Sequence, residues 1–143
     1  HNYGCAMLNQ ASCPPPLQLV LDYLAAIEQN ADEARLSAFF GPGLQQHEFP
    51  NRLVERGAAR GLAQVLEGSR KGRAVVQNQR YQVTNALVDA DRVAVELTWT
   101  AELKVPLGSL KAGDTMTAHC GVFFRISDNR IVQHHNYDCF EPF

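Results

Sequence analysis

Apolar residues in the first half of the chain recur at helical spacing. The first series starts at Leu17, and its members share one helical face: Val20, Leu21, Leu24 and Ile27. This spacing predicts an amphipathic helix. Asn30 followed by Glu33 is typical of the start of a second helix, which we expect to end at Phe40. A third helix is predicted over about 58–68.

The pattern changes to strands after the third helix. Four long apolar or alternating stretches follow one another, separated by turn residues, at about 74–88, 91–105, 115–126 and 130–140. A shorter strand is predicted at 44–49, before Pro50. Consecutive strands joined by short turns indicate an antiparallel meander. Helices followed by such a sheet predict an α+β fold, in which the three helices cover one face of a curved sheet.

Length and charge limit the domain organisation and the partners. A chain of 143 residues is sufficient for one compact domain, which we assign to 17–143, with 1–16 as an irregular extension. A net charge of −2 gives no electrostatic case for binding nucleic acid or an anionic membrane. Because no long apolar run and no signal peptide are indicated, we expect a cytoplasmic protein with small-molecule or protein partners.

The spacing of the cysteines and histidines does not predict a metal site. The sequence contains four cysteines, at Cys5, Cys13, Cys120 and Cys139. They match neither a zinc pattern nor a Cys-x-x-Cys motif, so we expect structural thiols. A disulfide between Cys5 and Cys13 is the alternative for an exported protein. The adjacent His134 and His135 point to opposite faces of a strand, which is unfavourable for shared metal ligation.

The last predicted strand carries polar residues that are unusual in a core strand. Alternation places His134, Asn136 and Asp138 on one face. If this face looks inward, the protein has a polar pocket. The opposite face carries Gln133, His135, Tyr137 and Cys139.

The turn Asp128-Asn129 predicts the register of the last two strands. A two-residue hairpin turn of this type places Ser127 opposite Arg130. Counting back from the turn gives three inward pairs: Phe123 with His134, Gly121 with Asn136, and His119 with Asp138. A three-residue turn would instead move every partner to the other face. An aspartate beside a histidine is a usual arrangement for a general acid or base near neutral pH. The alternative is that the two side chains merely satisfy each other across the sheet.

Two more residues are candidates for the same pocket. Glu48, on the short strand, is either a second acid or base or a solvated charge at the strand end. Trp99 lies on the apolar face of its strand. It either packs in the core or stacks on a flat or alicyclic ligand at the mouth of the pocket.

The opposite face of the closing hairpin is predicted to be the outer surface. We expect His47 and His135 to lie on this side, outside the pocket. The same register gives it an apolar strip of Val122, Phe124, Ile126 and Tyr137. Water does not favour such a strip, so we predict a homodimer through the outer face of the sheet.

These features together resemble the nuclear transport factor 2-like superfamily. The residues that carry the resemblance are the break at Phe49-Pro50-Asn51, Gly57, Trp99 and the closing NYDCF, together with three helices before a curved meander. It covers 17–143 and is closest to the SnoaL-like polyketide cyclases and limonene-epoxide hydrolases. It implies a cone-shaped fold around a deep pocket, and a dimer. The Asp-Arg-Asp triad of the epoxide hydrolases would fall at Trp99, Leu97 and Asn136, so that triad is not retained.

The resemblance also implies a set of pocket residues and a reaction class. The pocket positions fall at Glu48, Thr117, His119, His134 and Asp138. Related cyclases, dehydratases and isomerases use an acid/base Asp or a nearby His. We therefore predict a cofactor-independent cyclase, isomerase, dehydratase or hydrolase for an apolar carbonyl or alicyclic compound. Its catalytic residues would be Asp138, His119 and Glu48, and its substrate-binding residues Trp99, His134, Asn136 and Thr117. The alternative is a non-catalytic ligand-binding or protein-interaction module.

Overall fold

Within residues 13–143, three helices and six strands form the α+β fold that the sequence predicts. The computed structural model describes residues 13–143, so most of the predicted irregular extension over 1–16 lies outside the described residues; Pro15 and Pro16, at its end, are already helical. The helices are α1 (Pro15–Glu28), α2 (Glu33–Ser37) and α3 (Leu62–Val75). The strands are β1 (Phe40–Glu48), β2 (Ala58–Arg60), β3 (Val76–Asp89), β4 (Arg92–Leu103), β5 (Thr115–Ser127) and β6 (Arg130–Phe140).

The strands form one mixed sheet in the order β2-β1-β6-β5-β4-β3. Strands β3 to β6 are the predicted antiparallel meander. Strand β1 runs parallel to β6, and β2 pairs antiparallel with β1. The short N-terminal strand therefore lies directly beside the polar closing strand. Pairing with β1 also explains why Ala58–Arg60 is a strand and α3 begins only at Leu62, later than predicted.

The helices cover the concave face of the sheet. Helix α1 packs against β3 and β4, and α3 packs against β1 and β3. Helix α2 begins after Asp32, whose carboxylate accepts a hydrogen bond from the Arg35 backbone N–H at 2.9 Å. The predicted start at Asn30 is wrong because Asn30 takes a left-handed φ of 62°. Within 13–143, no helix has both the length and the hydropathy needed to cross a membrane.

A β-bulge in β6 changes the predicted register. Asp128 and Asn129 both have positive φ, and Ser127 opposes Arg130, as expected. Beyond this turn Ile126 opposes Ile131, but Arg125 opposes Gln133, so Val132 is an extra residue. The predicted pairs are therefore wrong by one residue. The observed pairs are Phe124 with His134, Val122 with Asn136, and Cys120 with Asp138.

The bulge also reverses the two faces of β5. Val122, Phe124 and Ile126 are buried in the core, so the predicted outer strip is wrong for these three residues. Phe123 takes their place on the outer face and is 52 % exposed, next to Tyr137 at 46 %. Both residues belong to a row of ring contacts on the outer face.

The cysteines differ in state. Cys120 and Cys139 are free thiols, as expected. Cys13 is disulfide-bonded, against the expectation of a thiol. Spacing alone could not decide this point, because the state of a cysteine depends on the redox conditions of its compartment.

Candidate functional site

Polar side chains meet at one end of an otherwise apolar cavity on the concave face. The cavity has a volume of about 290 Å³ and lies between α1 and the inward faces of β1, β3, β4, β5 and β6. Its polar lining includes Gln46, Glu48, His134, Asn136 and Asp138, and its apolar lining includes Leu24, Ile27, Leu97, Trp99, Val122 and Phe124. A wider region of about 740 Å³ adjoins it under α3 and shares Tyr23, Glu48 and Trp99.

Cross-strand register brings these residues together in three rows. The first row is Arg60, Gln46, His134 and Phe124; the second is Glu48, Asn136, Val122 and Val95; the third is Asp138, Cys120 and Leu97. In each of the first two rows, β1 contributes a polar side chain next to one from β6. The parallel pairing of β1 with β6 therefore assembles the polar end of the cavity.

Asp138 is a carboxyl group in a weakly solvated position. Burial raises the pKa of Asp138, and the negative charge of Glu48 raises it further. Hydrogen bonding from the Cys120 thiol and with Asn136 opposes this rise. Burial dominates, so the carboxyl group exchanges its proton at a higher pH than an exposed aspartate. Such a shift is typical of carboxyl groups that act as acid or base catalysts.

His134 is a neutral imidazole in the same cavity. Its side chain is buried, with the residue 5 % exposed, and stacks on Phe124 with a ring-centroid distance of 4.7 Å. The Tyr23 ring meets it edge-on at 6.0 Å. Burial lowers the pKa of His134 to about 3, and the nearby His135 contributes to the lowering. His134 therefore stays uncharged at neutral pH, and its Nδ1 lies 3.3 Å from Gln46 Nε2.

Glu48 is held by two partners at the rim of the polar end. Arg60 Nη1 donates to Glu48 Oε1 at 2.8 Å, and Asn51 Nδ2 donates to Oε2 at 2.8 Å. Both carboxylate oxygens are thus engaged in charge-assisted or amide hydrogen bonds. Glu48 is therefore paired with the Arg60 guanidinium, and its negative charge contributes to the raised pKa of Asp138.

Trp99 and Asn136 offer two different surfaces to the cavity. The indole Nε1–H of Trp99 donates to Gln79 Oε1 at 3.0 Å, which leaves the ring as an apolar wall. The side-chain Oδ1 of Asn136 is buried and has no hydrogen-bond partner within residues 13–143. Buried acceptors are nearly always satisfied, so this oxygen is a position at which a ligand donor or water is expected.

His119 and Thr117 lie on the outer face and do not line the cavity. The His119 side chain is 58 % exposed, and its Nε2 is 2.8 Å from a Glu141 carboxylate oxygen. Thr117 opposes Thr100 on the same outer side. The cause is the extra residue at Val132, which turns the odd-numbered residues of β5 outward. The inward faces of β1 and β6, with Glu48, His134, Asn136 and Asp138, are as predicted.

Several further cavity residues, Gln46 among them, were not predicted from the sequence. Tyr23 on α1 and Tyr81 on β3 line the cavity, and burial raises the pKa of both phenols, so they remain neutral. Cys120 lies beside Asp138, and burial raises the pKa of its thiol. A sequence signal for Cys120 existed, because it belongs to the more apolar alternating series of β5: Met116, Ala118, Val122, Phe124 and Ile126.

A family model matches most of the chain. The family is described as SnoaL-like domain, and the match covers residues 20–134. The matched segment extends from α1 into β6 and contains most of the elements that form the cavity. Among curated proteins, none matches this sequence.

Solved structures with the same fold come from several bacteria. IdmH from Streptomyces antibioticus, a candidate polyketide cyclase, has a TM-score of 0.72 at 17 % identity over 86 % of this chain and 91 % of its own. AclR from Streptomyces galilaeus, a candidate hydroxylase, has a TM-score of 0.71 at 17 % identity over 86 % and 74 %. A SnoaL-like polyketide cyclase from Agrobacterium tumefaciens has a TM-score of 0.68 at 18 % identity over 88 % and 92 %. Sequence identities this low establish a similarity of fold alone.

Proposed function

Because this chain belongs to the SnoaL-like domain family, we propose that it is a cofactor-independent enzyme that moves a proton on a small apolar carbonyl or alicyclic compound. The observation that carries the proposal is Asp138. Its carboxyl group has a raised pKa and lies in a largely apolar cavity, beside the unsatisfied Oδ1 of Asn136. The names of the similar structures, polyketide cyclase and hydroxylase, support a small organic substrate.

Asp138 is the proposed general base. It takes a proton from a carbon next to a carbonyl group and returns it at another position or to a leaving oxygen. The apolar surroundings weaken the solvation of the carboxylate and make it a stronger base than an exposed aspartate. In cyclisation, isomerisation and dehydration, this proton transfer is a shared step. The raised pKa of Asp138 therefore favours the whole group of reactions without selecting one.

Neighbouring residues take supporting roles in this proposal. His134, as a neutral ring, donates a hydrogen bond to the substrate oxygen that gains negative charge. Asn136 Oδ1 accepts from a hydroxyl group of the substrate. Trp99 packs on the apolar body of the substrate. Glu48, which is paired with Arg60, raises the pKa of Asp138 through its charge. His119 and Thr117 have no role in this proposal.

A deuterium-exchange experiment tests the proposal and does not require the product to be identified. A panel of alicyclic and aromatic ketones and lactones is incubated in D₂O with the protein, and deuterium uptake next to the carbonyl is followed by mass spectrometry. We expect uptake in at least one compound and a loss of about 100-fold or more in Asp138→Asn. Asp89→Asn, which removes an exposed carboxylate at the end of β3, is the matched control and should retain the wild-type rate.

Two outcomes would contradict the catalytic proposal. One is a loss of less than about tenfold in Asp138→Asn, which would exclude this carboxyl group as the base. The other is saturable binding of panel compounds with no exchange in the wild-type chain. The second result would favour the alternative, a non-catalytic ligand-binding module of the same fold.

We also propose that two copies of the chain pair through the outer face of the sheet. Phe49 stacks on Tyr137 at 4.3 Å, and Phe123 meets Tyr137 edge-on at 5.8 Å. These rings form an exposed aromatic strip of the kind that a second subunit covers. Sedimentation should show a dimer for the wild-type chain and a monomer for Phe123→Glu. Val105→Glu, at an exposed apolar position away from the strip, is the control; a monomeric wild-type chain would refute the proposal.

The cellular location is a separate proposal. The free thiols Cys120 and Cys139 agree with the cytoplasm, which the sequence led us to expect, whereas the disulfide at Cys13 is of a kind that persists in oxidising compartments. Thiol counting by mass spectrometry, on protein isolated from its native cells without reductant, separates the two. Four thiols would support the cytoplasm, and two would exclude a reducing compartment.

A further inference from the structure

We propose that Arg60 and Gln46 are positioning residues that hold His134 in a single tautomer, with the proton on Nε2, so that the ring presents a permanent uncharged donor to an acceptor oxygen of the ligand. The ligand part of this inference rests on the proposed function. The tautomer part concerns the protein alone and can be tested without a ligand.

The three residues lie side by side on adjacent strands. Gln46 of β1 is the direct cross-strand partner of Arg60 on β2 and of His134 on β6. Arg60 Nη1 lies 3.0 Å from Gln46 Oε1, and Gln46 Nε2 lies 3.3 Å from His134 Nδ1. Arg60 is itself held by Glu48 at 2.8 Å. The side chains therefore form one chain of hydrogen bonds from the sheet edge to the cavity.

The direction of each hydrogen bond follows from the chemistry of its groups. A guanidinium group can only donate, so the atom of Gln46 that faces Arg60 must be the carbonyl oxygen. This orientation turns the amide nitrogen of Gln46 toward His134. An amide nitrogen also only donates, so Nδ1 of His134 must be the bare, accepting nitrogen. A neutral imidazole with a bare Nδ1 carries its proton on Nε2.

The surroundings of the ring keep it from taking a second proton. His134 is stacked on Phe124 and meets the Tyr23 ring edge-on, and neither ring offers a counter-charge. The carboxyl groups of the cavity are on other rows, where Glu48 pairs with Arg60 and Asp138 lies beside Cys120; His135 faces the outer side. An uncharged donor suits a carbonyl or ether oxygen, and it gives no advantage to an ammonium group, which has no acceptor.

Nitrogen-15 spectroscopy of the imidazole ring is the direct test. In uniformly ¹⁵N-labelled protein, with the His134 signals assigned through His134→Gln, we expect Nδ1 to show the shift of an unprotonated nitrogen and Nε2 that of a protonated one. In Gln46→Glu a carboxylate replaces the amide and can only accept, so Nδ1 should become protonated. Gln45→Glu adds the same charge at the adjacent residue, which faces outward, and should leave both signals unchanged.

Arg60→Ala provides a second arm that does not place a new charge in the cavity. Without the guanidinium group, the Gln46 amide can turn over, and the two tautomers should appear as a mixture. A protonated Nδ1 in the wild-type chain would overturn the inference, as would a bare Nδ1 in Gln46→Glu or an unchanged ring in Arg60→Ala. The Arg60→Ala measurement still tests the inference if the Gln46→Glu chain does not fold.

Ligand binding separates this inference from the proposed function. For any panel ketone that binds the wild-type chain, we expect Gln46→Glu to weaken the affinity about tenfold, because it removes one hydrogen bond to the oxygen, and Gln45→Glu to leave it unchanged. Equal affinity in wild type and Gln46→Glu would overturn the ligand part. If the tautomers are as expected but no ketone of the panel binds, the positioning by Arg60 and Gln46 is supported and the proposed function is overturned.

Discussion

Each face of the β5–β6 hairpin carries a histidine near a carboxyl group, but the outer pair is exposed to water and the inner pair lies in the cavity. On the outer face, His119 lies 2.8 Å from the Glu141 carboxylate, and both side chains are more than half exposed. On the inner face, His134 is buried and neutral, and Asp138 has a thiol as its neighbour. The direct histidine–carboxylate contact therefore lies on the outer face, where water screens it. The histidine and the aspartate with shifted pKa values lie on the inner face and do not contact each other through a hydrogen bond. Burial, more than pairing, gives the inner groups their special chemistry.

The largest expected difference between the faces is in the pH dependence of stability. In the native state the pKa of His134 is lowered to about 3, whereas in the unfolded chain it is near its ordinary value of about 6.5. Between pH 7 and pH 4 the unfolded state therefore takes up a proton that the native state does not. This term should lower the free energy of unfolding by about 3 kcal/mol. Urea denaturation at several pH values would measure it.

The matched variants are His134→Phe and His119→Phe. His134→Phe keeps an aromatic ring against Phe124 and should lose this part of the pH dependence. His119→Phe should keep the wild-type slope, because that side chain is exposed. Equal slopes in wild type and His134→Phe would show that the buried histidine does not control acid stability.

The next largest effect on stability is expected at Gly41, which packs against the bulged residue Val132. A Cβ atom at Gly41 would lie 2.8 Å from Val132 Cγ1, whereas at Gly43 nothing lies within 4 Å. Gly41→Ala should therefore destabilise the fold by about 1–3 kcal/mol through overpacking against the bulged residue. Gly43→Ala, two residues away, should be neutral or slightly stabilising. Thermal unfolding of both variants measures the difference, and equal melting temperatures would refute the steric role of Gly41.

A smaller effect on the pH dependence of stability, opposite in sign to that of His134, is expected at Asp138. Because its native pKa is raised, the native state holds this proton to a higher pH than the unfolded state does, so stability is lost as pH rises through the native pKa. Asp138→Asn should remove that loss and so raise the free energy of unfolding at pH 7, with no gain near pH 3. Chemical denaturation at both pH values is the measurement. A destabilised variant at pH 7 would mean that the ionised carboxylate is needed for folding.

The smallest effect is expected for the exposed pair. His119→Gln should change the free energy of unfolding by no more than about 0.5 kcal/mol, since water surrounds this exposed histidine–carboxylate contact and weakens it. The measurement is chemical denaturation at low and high salt. A larger loss, abolished by salt, would show that the outer pair is a structural element of the hairpin after all.

The outcome for β5 shows where prediction from the sequence failed. The turn at Asp128-Asn129 and the pair Ser127–Arg130 were predicted correctly. An unbroken register counted back from that turn places Val122 and Phe124 on the outer face. Both residues belong to the apolar series of β5, which by its hydrophobicity should face the core. Such a conflict is the sequence signature of a bulge, and the bulge at Val132 resolves it.

Local patterns determined the helices, the meander, the closing turn and the face of β6 that carries His134, Asn136 and Asp138, because each depends on residues close together along the chain. Only the tertiary structure decided that β1 lies parallel beside β6, which joins Gln46 to His134 across 88 residues. The same closure under α1 buries His134, partly buries Asp138 and so changes their pKa values. Protonation depends on surroundings assembled from distant segments, and no local pattern specifies them.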